Sequence, residues 1–147
     1  MTIDPEQRFI TECAKIAGLE TNVKSIKSSI KKLSKKLDEL QIQGFYDQIA
    51  ALDKKITELK ENLLSTQYLL AIERIEIDEL HLLEAARLKL SKSDPNNYLR
   101  VKEHILIEYT KAEENIKNSE EPLRVSIKFR KHCADYSKEQ NLGAFRD

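Results

Sequence analysis

Histidine, cysteine and carboxylate side chains are the residues that most often bind metals or catalyse reactions, and this chain spaces them widely. The nearest approach to a metal-binding motif is Asp78-x-x-His81. A di-iron carboxylate bundle requires a Glu-x-x-His pair on each of two helices. Neither His104 nor His132 has an acid three residues before it. We therefore predict no metal site and no cofactor.

The cysteines and glycines do not form a catalytic motif either. Cys133 directly follows His132, but neighbouring residues of a helix point about 100° apart, so adjacency does not make a nucleophile–base pair. Cys13 is distant in sequence, and both cysteines are predicted to be reduced thiols with structural roles. The three glycines are scattered singly and form no phosphate-binding loop. We predict that the protein has no catalytic residues and is not an enzyme.

Lysines provide the clearest functional signal. Residues 21–37 contain six lysines and no acid, whereas the whole chain balances 25 basic against 25 acidic side chains. A basic run can bind acidic proteins, anionic lipids or nucleic acids. This one contains no arginine for bidentate base contacts and no aromatic residue for base stacking, which favours an acidic protein partner. The predicted partner-binding residues are Lys24, Lys27, Lys31, Lys32, Lys35 and Lys36.

Two other interpretations of this lysine run stay open. The lysines can be the solvated face of a helix that has no partner there, because charge runs are common on exposed helix surfaces. Alternatively, the chain is a nucleic-acid-associated helical protein, whose binding would weaken steeply as salt rises.

The lysines are embedded in a coiled-coil pattern that must position them. Apolar residues recur between positions 16 and 40 at alternating spacings of three and four, and every lysine of the segment lies outside this seam. A narrow seam of this kind is buried only against another helix. The a and d positions are Ile16, Leu19, Val23, Ile26, Ile30, Leu33, Leu37 and Leu40.

The partner helix is predicted to lie in the same chain. Asp4 and Pro5 form a helix start, and the first helix is expected to run from Pro5 to about Gln43. After Gly44 the apolar pattern resumes with a shift of five residues, which a continuous coiled coil does not accommodate. We predict a turn at Gly44 and an antiparallel second helix over residues 47–91. The alternative is one continuous rod in a parallel dimer.

Two shorter helices are predicted to follow. The apolar pattern widens over residues 69–90, which requires several packing neighbours. Asp94 and Pro95 start a third helix that extends to about Asn118, and Pro122 starts a fourth segment. Residues 123–130 alternate between apolar and polar types, so an edge strand that pairs with a partner chain is an alternative to a fourth helix there. We favour the helix, because no other stretch could pair with a strand.

The fold class predicted from these elements is all-α, an unequal four-helix bundle. It consists of a long antiparallel coiled-coil hairpin with the two shorter C-terminal helices packed on one half. We assign residues 1–147 to a single domain, in which residues 23–63 project as a coiled coil and residues 5–22 and 64–142 form the bundle. Charged residues at 34% and aromatic residues at 6% suit long helices.

This architecture favours a non-enzymatic scaffold, adaptor or assembly subunit that mediates protein–protein interaction. A homodimer through the coiled coil is a further prediction. No apolar run reaches the length of about 18 residues that a transmembrane segment needs, and the first residues lack the profile of a secretory signal. We therefore expect no transmembrane segment and a cytoplasmic location, with export by a route that reads no such signal as the alternative.

Overall fold

Four helices make up the part of the chain that the structure, a computed structural model, describes. It describes residues 5–143, with side chains from residue 7 onwards. The helices are α1 (Pro5–Gln43), α2 (Tyr46–Leu90), α3 (Pro95–Lys117) and α4 (Pro122–Glu139). The all-α prediction is confirmed, whereas the alternative of an edge strand is wrong because residues 123–130 lie within α4. A helix satisfies its own backbone donors and acceptors, which an isolated strand cannot do. The predicted cap Asp4 lies outside the described residues.

The chain reverses at Gly44, as the five-residue shift of the heptads predicted. Gly44 has a φ of 79° and donates its N–H to the carbonyl of Leu40 at 2.9 Å, which is a glycine-specific way to end a helix. α1 then pairs with α2 in the antiparallel direction: Arg74 contacts Glu20 at 3.2 Å, and the rings of Phe9 and His81 lie 5.0 Å apart. The alternative of a continuous rod is therefore wrong.

The predicted seam lies between these two helices. Val23 and Leu40 are buried, and the other a and d residues of α1 are half-buried. On α2, Ile56 is buried at 4% exposure, and its heptad neighbours are half-buried. Two helices can hide only one stripe of each other's surface, so the seam is covered less completely than a core with neighbours on several sides.

α2 also forms the floor on which α3 and α4 pack. Asp94 caps α3 by accepting a hydrogen bond from the Asn97 N–H at 3.4 Å, with Pro95 in the first turn. The core between the three helices contains Ala71, Ile75, Leu82, Ala85, Ala86, Val101, Ile105, Ala112, Ile116, Phe129, Cys133, Ala134, Tyr136 and Leu142. Among the described residues, this core and its partly buried margin extend toward the hairpin turn as far as Tyr68, whose hydroxyl donates to the carbonyl of Ser119.

The bundle is open on one side. Within the described chain, α1 packs on α2 but not on α3 or α4, so α2 is the central helix. We call residues 23–63 the hairpin arm and residues 5–22 with 64–142 the bundle half. The position of this division stays a prediction.

The two cysteines have different environments. Cys133 belongs to the core, whereas Cys13 is exposed on α1, so the predicted structural role fails for Cys13. None of the described helices combines the length and apolar character needed to cross a lipid bilayer.

Candidate functional site

All six predicted lysines lie on the surface of the hairpin arm. Each of them is exposed, because each lies outside the a and d positions that face α2. None of the six forms an ion pair with another side chain in the part of the molecule that the structure describes. We call the set Lys24, Lys27, Lys31, Lys32, Lys35 and Lys36 the lysine face. At about 100° per residue, these lysines spread over roughly half of the circumference of α1, on the side away from the seam.

The turn of the hairpin carries exposed apolar side chains that sequence analysis missed. Ile42 is 87% exposed, Tyr46 78% and Phe45 49%. Phe45 is the first residue of the apolar pattern that resumes after Gly44, yet its side chain is exposed. The sequence did contain a signal for this exposed surface, because three large apolar residues lie within five positions around Gly44. We call Ile42, Phe45 and Tyr46 the apolar tip. Ile42 follows Lys36 by six residues, which is about 9 Å along a helix, so the apolar tip adjoins the lysine face.

Three arginines of the bundle half form ion pairs between helices. Arg8 contacts Glu76 at 3.7 Å and Arg74 contacts Glu20 at 3.2 Å, both between α1 and α2. Arg130 of α4 contacts Asp78 of α2 at 2.8 Å. These side chains stabilise the packing of helices and are correspondingly less available to a partner.

Glu12 of α1 and Glu73 of α2 lie close enough to shift each other's pKa. Carboxylate oxygens of Glu12, Glu73 and Glu76 lie within 4.8 Å of one another. A side-chain hydrogen bond from Glu73 to Glu12 raises the pKa of Glu73 to about 7, and the same bond lowers the pKa of Glu12. Burial adds to the increase for Glu73. The pair is therefore best described as one carboxylic acid bonded to one carboxylate.

The acid of the Asp78-x-x-His81 motif has a structural partner. Asp78 is only 3% exposed, and burial raises its pKa to about 6 although Arg130 acts in the opposite direction. His81 packs against the ring of Phe9 instead. On the same helix, burial together with the nearby Glu76 raises the pKa of Glu79 to about 7.

An open groove of about 550 Å³ separates α1 from α4, with α2 as its floor. Phe9 and Cys13 of α1 line one side, Ile127 and Arg130 of α4 line the other, and Ile77 belongs to the floor. The groove exists because α1 and α4 both pack on α2 but not on each other.

The structure also brings together three residues that sequence analysis left separate. His104 Nε2 lies 3.4 Å from His132 Nε2, and His132 Nε2 lies 3.9 Å from Glu108 Oε2. The sequence contained half of the signal, because His104 and Glu108 are four residues apart and therefore share a helix face. The other half, the approach of α4, required the tertiary fold.

The environment of Cys133 does not favour a role as a nucleophile. Cys133 lines a small cavity together with His104 and His132, but burial raises the pKa of its thiol far above the usual range. The thiolate, which is the nucleophilic form, is therefore not populated near neutral pH.

Comparison of the chain with protein-family models, curated proteins and solved structures gives no match.

Proposed function

We propose that this protein is a non-enzymatic scaffold or adaptor that binds an acidic protein partner through the hairpin arm. The observation that carries the proposal is the concentration of exposed basic charge on one stretch of α1. The lysine face places six exposed lysines within residues 24–36, and none of them forms an ion pair within the described chain. Three arginines of the bundle half, Arg8, Arg74 and Arg130, instead contact carboxylates on neighbouring helices.

The arm has the two components that a docking surface needs. The lysine face attracts an acidic surface over a distance of about 8 Å at physiological ionic strength and increases the rate of encounter. The apolar tip, Ile42, Phe45 and Tyr46, offers area that can be buried once the partner has arrived. Large apolar and aromatic anchors contribute much of the affinity at protein interfaces, while charges at the rim mainly contribute orientation.

The bundle half anchors this surface to a buried core. In its core, α3 and α4 pack on α2, and α1 packs on another side of α2. The seam of α1 packs against the chain's own α2 and is half-buried there. A homodimer through the coiled coil stays a prediction.

The test is a capture experiment with charge-matched variants. The quadruple variant Lys31→Gln, Lys32→Gln, Lys35→Gln, Lys36→Gln removes four charges from the lysine face. The control Lys92→Gln, Lys102→Gln, Lys128→Gln, Lys138→Gln removes four exposed charges from the bundle half. Partners captured by the wild type and identified by mass spectrometry should be lost from the first variant and retained by the second.

Helicity and salt dependence complete the test. Exposed charges typically contribute less than about 1 kcal/mol each to stability, so the circular dichroism of both variants should match that of the wild type. Capture of an acidic protein that weakens as salt rises supports the proposal. A first variant that folds normally and retains every wild-type partner refutes it. Captured nucleic acid instead of protein would support the nucleic-acid alternative.

A further inference from the structure

We propose that His104, Glu108 and His132 form a binding site for a divalent transition-metal ion of the Zn²⁺ type, which links α3 to α4. The three side chains come from two helices and present two imidazole nitrogens and one carboxylate oxygen within 4.8 Å of one another. This donor set is independent of the hairpin arm, so the inference does not rest on the proposed scaffold function.

The distances suit a common metal centre. Zn²⁺ binds imidazole nitrogens at about 2.0–2.1 Å, which places two ligands of a tetrahedron about 3.3–3.4 Å apart. The Nε2 atoms of His104 and His132 lie 3.4 Å apart. The 3.9 Å from His132 Nε2 to Glu108 Oε2 is longer, so binding of the ion requires the Glu108 carboxylate to move closer to the two imidazoles.

Neighbouring side chains orient the ligands. The His104 ring stacks on the ring of the buried Tyr136, with centroids 4.2 Å apart. Lys111 contacts Glu108 through Oε1 at 3.4 Å, so the other oxygen, Oε2, is the one that faces His132. Leu82 and Phe129 line the inner wall of the site. Such outer contacts fix the orientation of metal ligands and contribute to affinity.

The donor types select the kind of ion. Imidazole nitrogens suit Zn²⁺ and related first-row ions, whereas Mg²⁺ and Ca²⁺ prefer oxygen ligands throughout. Three protein ligands leave a fourth position for water or for a ligand from another molecule. The cluster of Glu12, Glu73 and Glu76 is less suitable, because its charge is already compensated by Arg8, Lys15 and a shared proton.

Calorimetric titration of the protein with Zn²⁺ in the presence of excess Mg²⁺ tests the site. A Cys13→Ser background removes the exposed thiol, which could itself bind Zn²⁺. We expect one Zn²⁺ per chain and a thermal unfolding midpoint that rises with Zn²⁺ concentration, because the ion binds the folded state. Loss of an outer contact alone typically costs about 10–100-fold in metal affinity, so loss of a direct ligand in His104→Gln or His132→Gln should cost at least about 100-fold.

The chain provides a matched control in its third histidine. His81→Gln should bind Zn²⁺ as the wild type does, since His81 lies on α2 beside Phe9. Glu108→Gln provides a second ligand variant that keeps both imidazoles. Circular dichroism without metal establishes that each variant folds. The proposal is overturned if the wild type binds no Zn²⁺, or if folded His104→Gln and His132→Gln bind it as tightly as His81→Gln.

Discussion

The hairpin arm and the bundle half share two helices, α1 and α2, yet they differ in the pairing of their charged side chains and in the burial of their apolar side chains. In the bundle half, arginines contact carboxylates across helix interfaces and the core residues of α2, α3 and α4 are fully buried. In the arm, the seam is half-buried, the six lysines have no ionic partner among the described side chains, and the apolar tip faces solvent. From this difference we expect that stability resides in the bundle half, and on it rests our proposal that the arm binds a partner.

Core truncation should separate the two regions most strongly. Ile105 is 2% exposed between α2, α3 and α4, so Ile105→Ala should lower the free energy of unfolding by about 2–5 kcal/mol. Leu33 is half-buried in the arm, and Leu33→Ala should cost less, about 1–2 kcal/mol. Urea denaturation followed by circular dichroism measures both. Equal losses would contradict the comparison.

The elements of this fold could be predicted from sequence because they rest on local patterns. Heptads placed the seam, the five-residue shift at Gly44 placed the turn, and Asp94 with Pro95 placed the start of α3. Each of these signals depends on residues that are close together in the chain. The same patterns could not show that α1 would pack on α2 alone, because amphipathic faces identify a buried stripe without identifying its partner.

The functional residues divide in the same way. The exposure of the lysine face followed from the heptad register, whereas the convergence of His104, Glu108 and His132 depends on how α3 and α4 pack. Asp78 shows that a short sequence motif can also suggest the wrong partner. Its position three residues before His81 suggested a motif, but the fold pairs Asp78 with Arg130, which is 52 residues away.

A second test of the difference between the two regions removes one partner of an ion pair in the bundle half. Arg130→Gln leaves the buried Asp78 without its guanidinium, and we expect a loss of about 1–2 kcal/mol at pH 8. The loss should be smaller at pH 5, where Asp78, with its pKa raised to about 6, binds a proton. The control Arg124→Gln, on the same helix but in an exposed pair with Glu121, should cost less than about 1 kcal/mol at either pH. A loss independent of pH would contradict this account of Asp78.

The bundle half should also determine how stability depends on pH. Three carboxyl groups have raised pKa values in the folded state: Glu73, Asp78 and Glu79. Their contribution to the free energy of unfolding is complete below the pKa of the unfolded chain, and it is lost as pH rises through about 6–7. Glu12 acts in the opposite sense, because its lowered pKa favours the folded state at higher pH. The unfolding midpoint in urea should therefore fall between about pH 5 and pH 8.

A single substitution isolates the shared proton. Glu73→Gln replaces the protonated carboxyl by a neutral amide, so it should raise stability by on the order of 1 kcal/mol at pH 8 and change it little at pH 5. The variant should also show a smaller decline in midpoint between these pH values than the wild type. Glu58→Gln, an exposed glutamate of the arm, serves as the control and should change neither value. Equal effects of the two substitutions would argue against the shared proton.

Native-state hydrogen exchange tests the division between stability and surface most directly, because it reports the opening free energy of each amide. Amides of α3 and of α2 near Ile75 should exchange only through global unfolding. Amides of residues 23–63 should exchange through a partial opening of lower free energy, with the bundle half still folded. Uniform protection along both long helices would contradict the account, since it would mean that the hairpin arm is as stable as the core that anchors it.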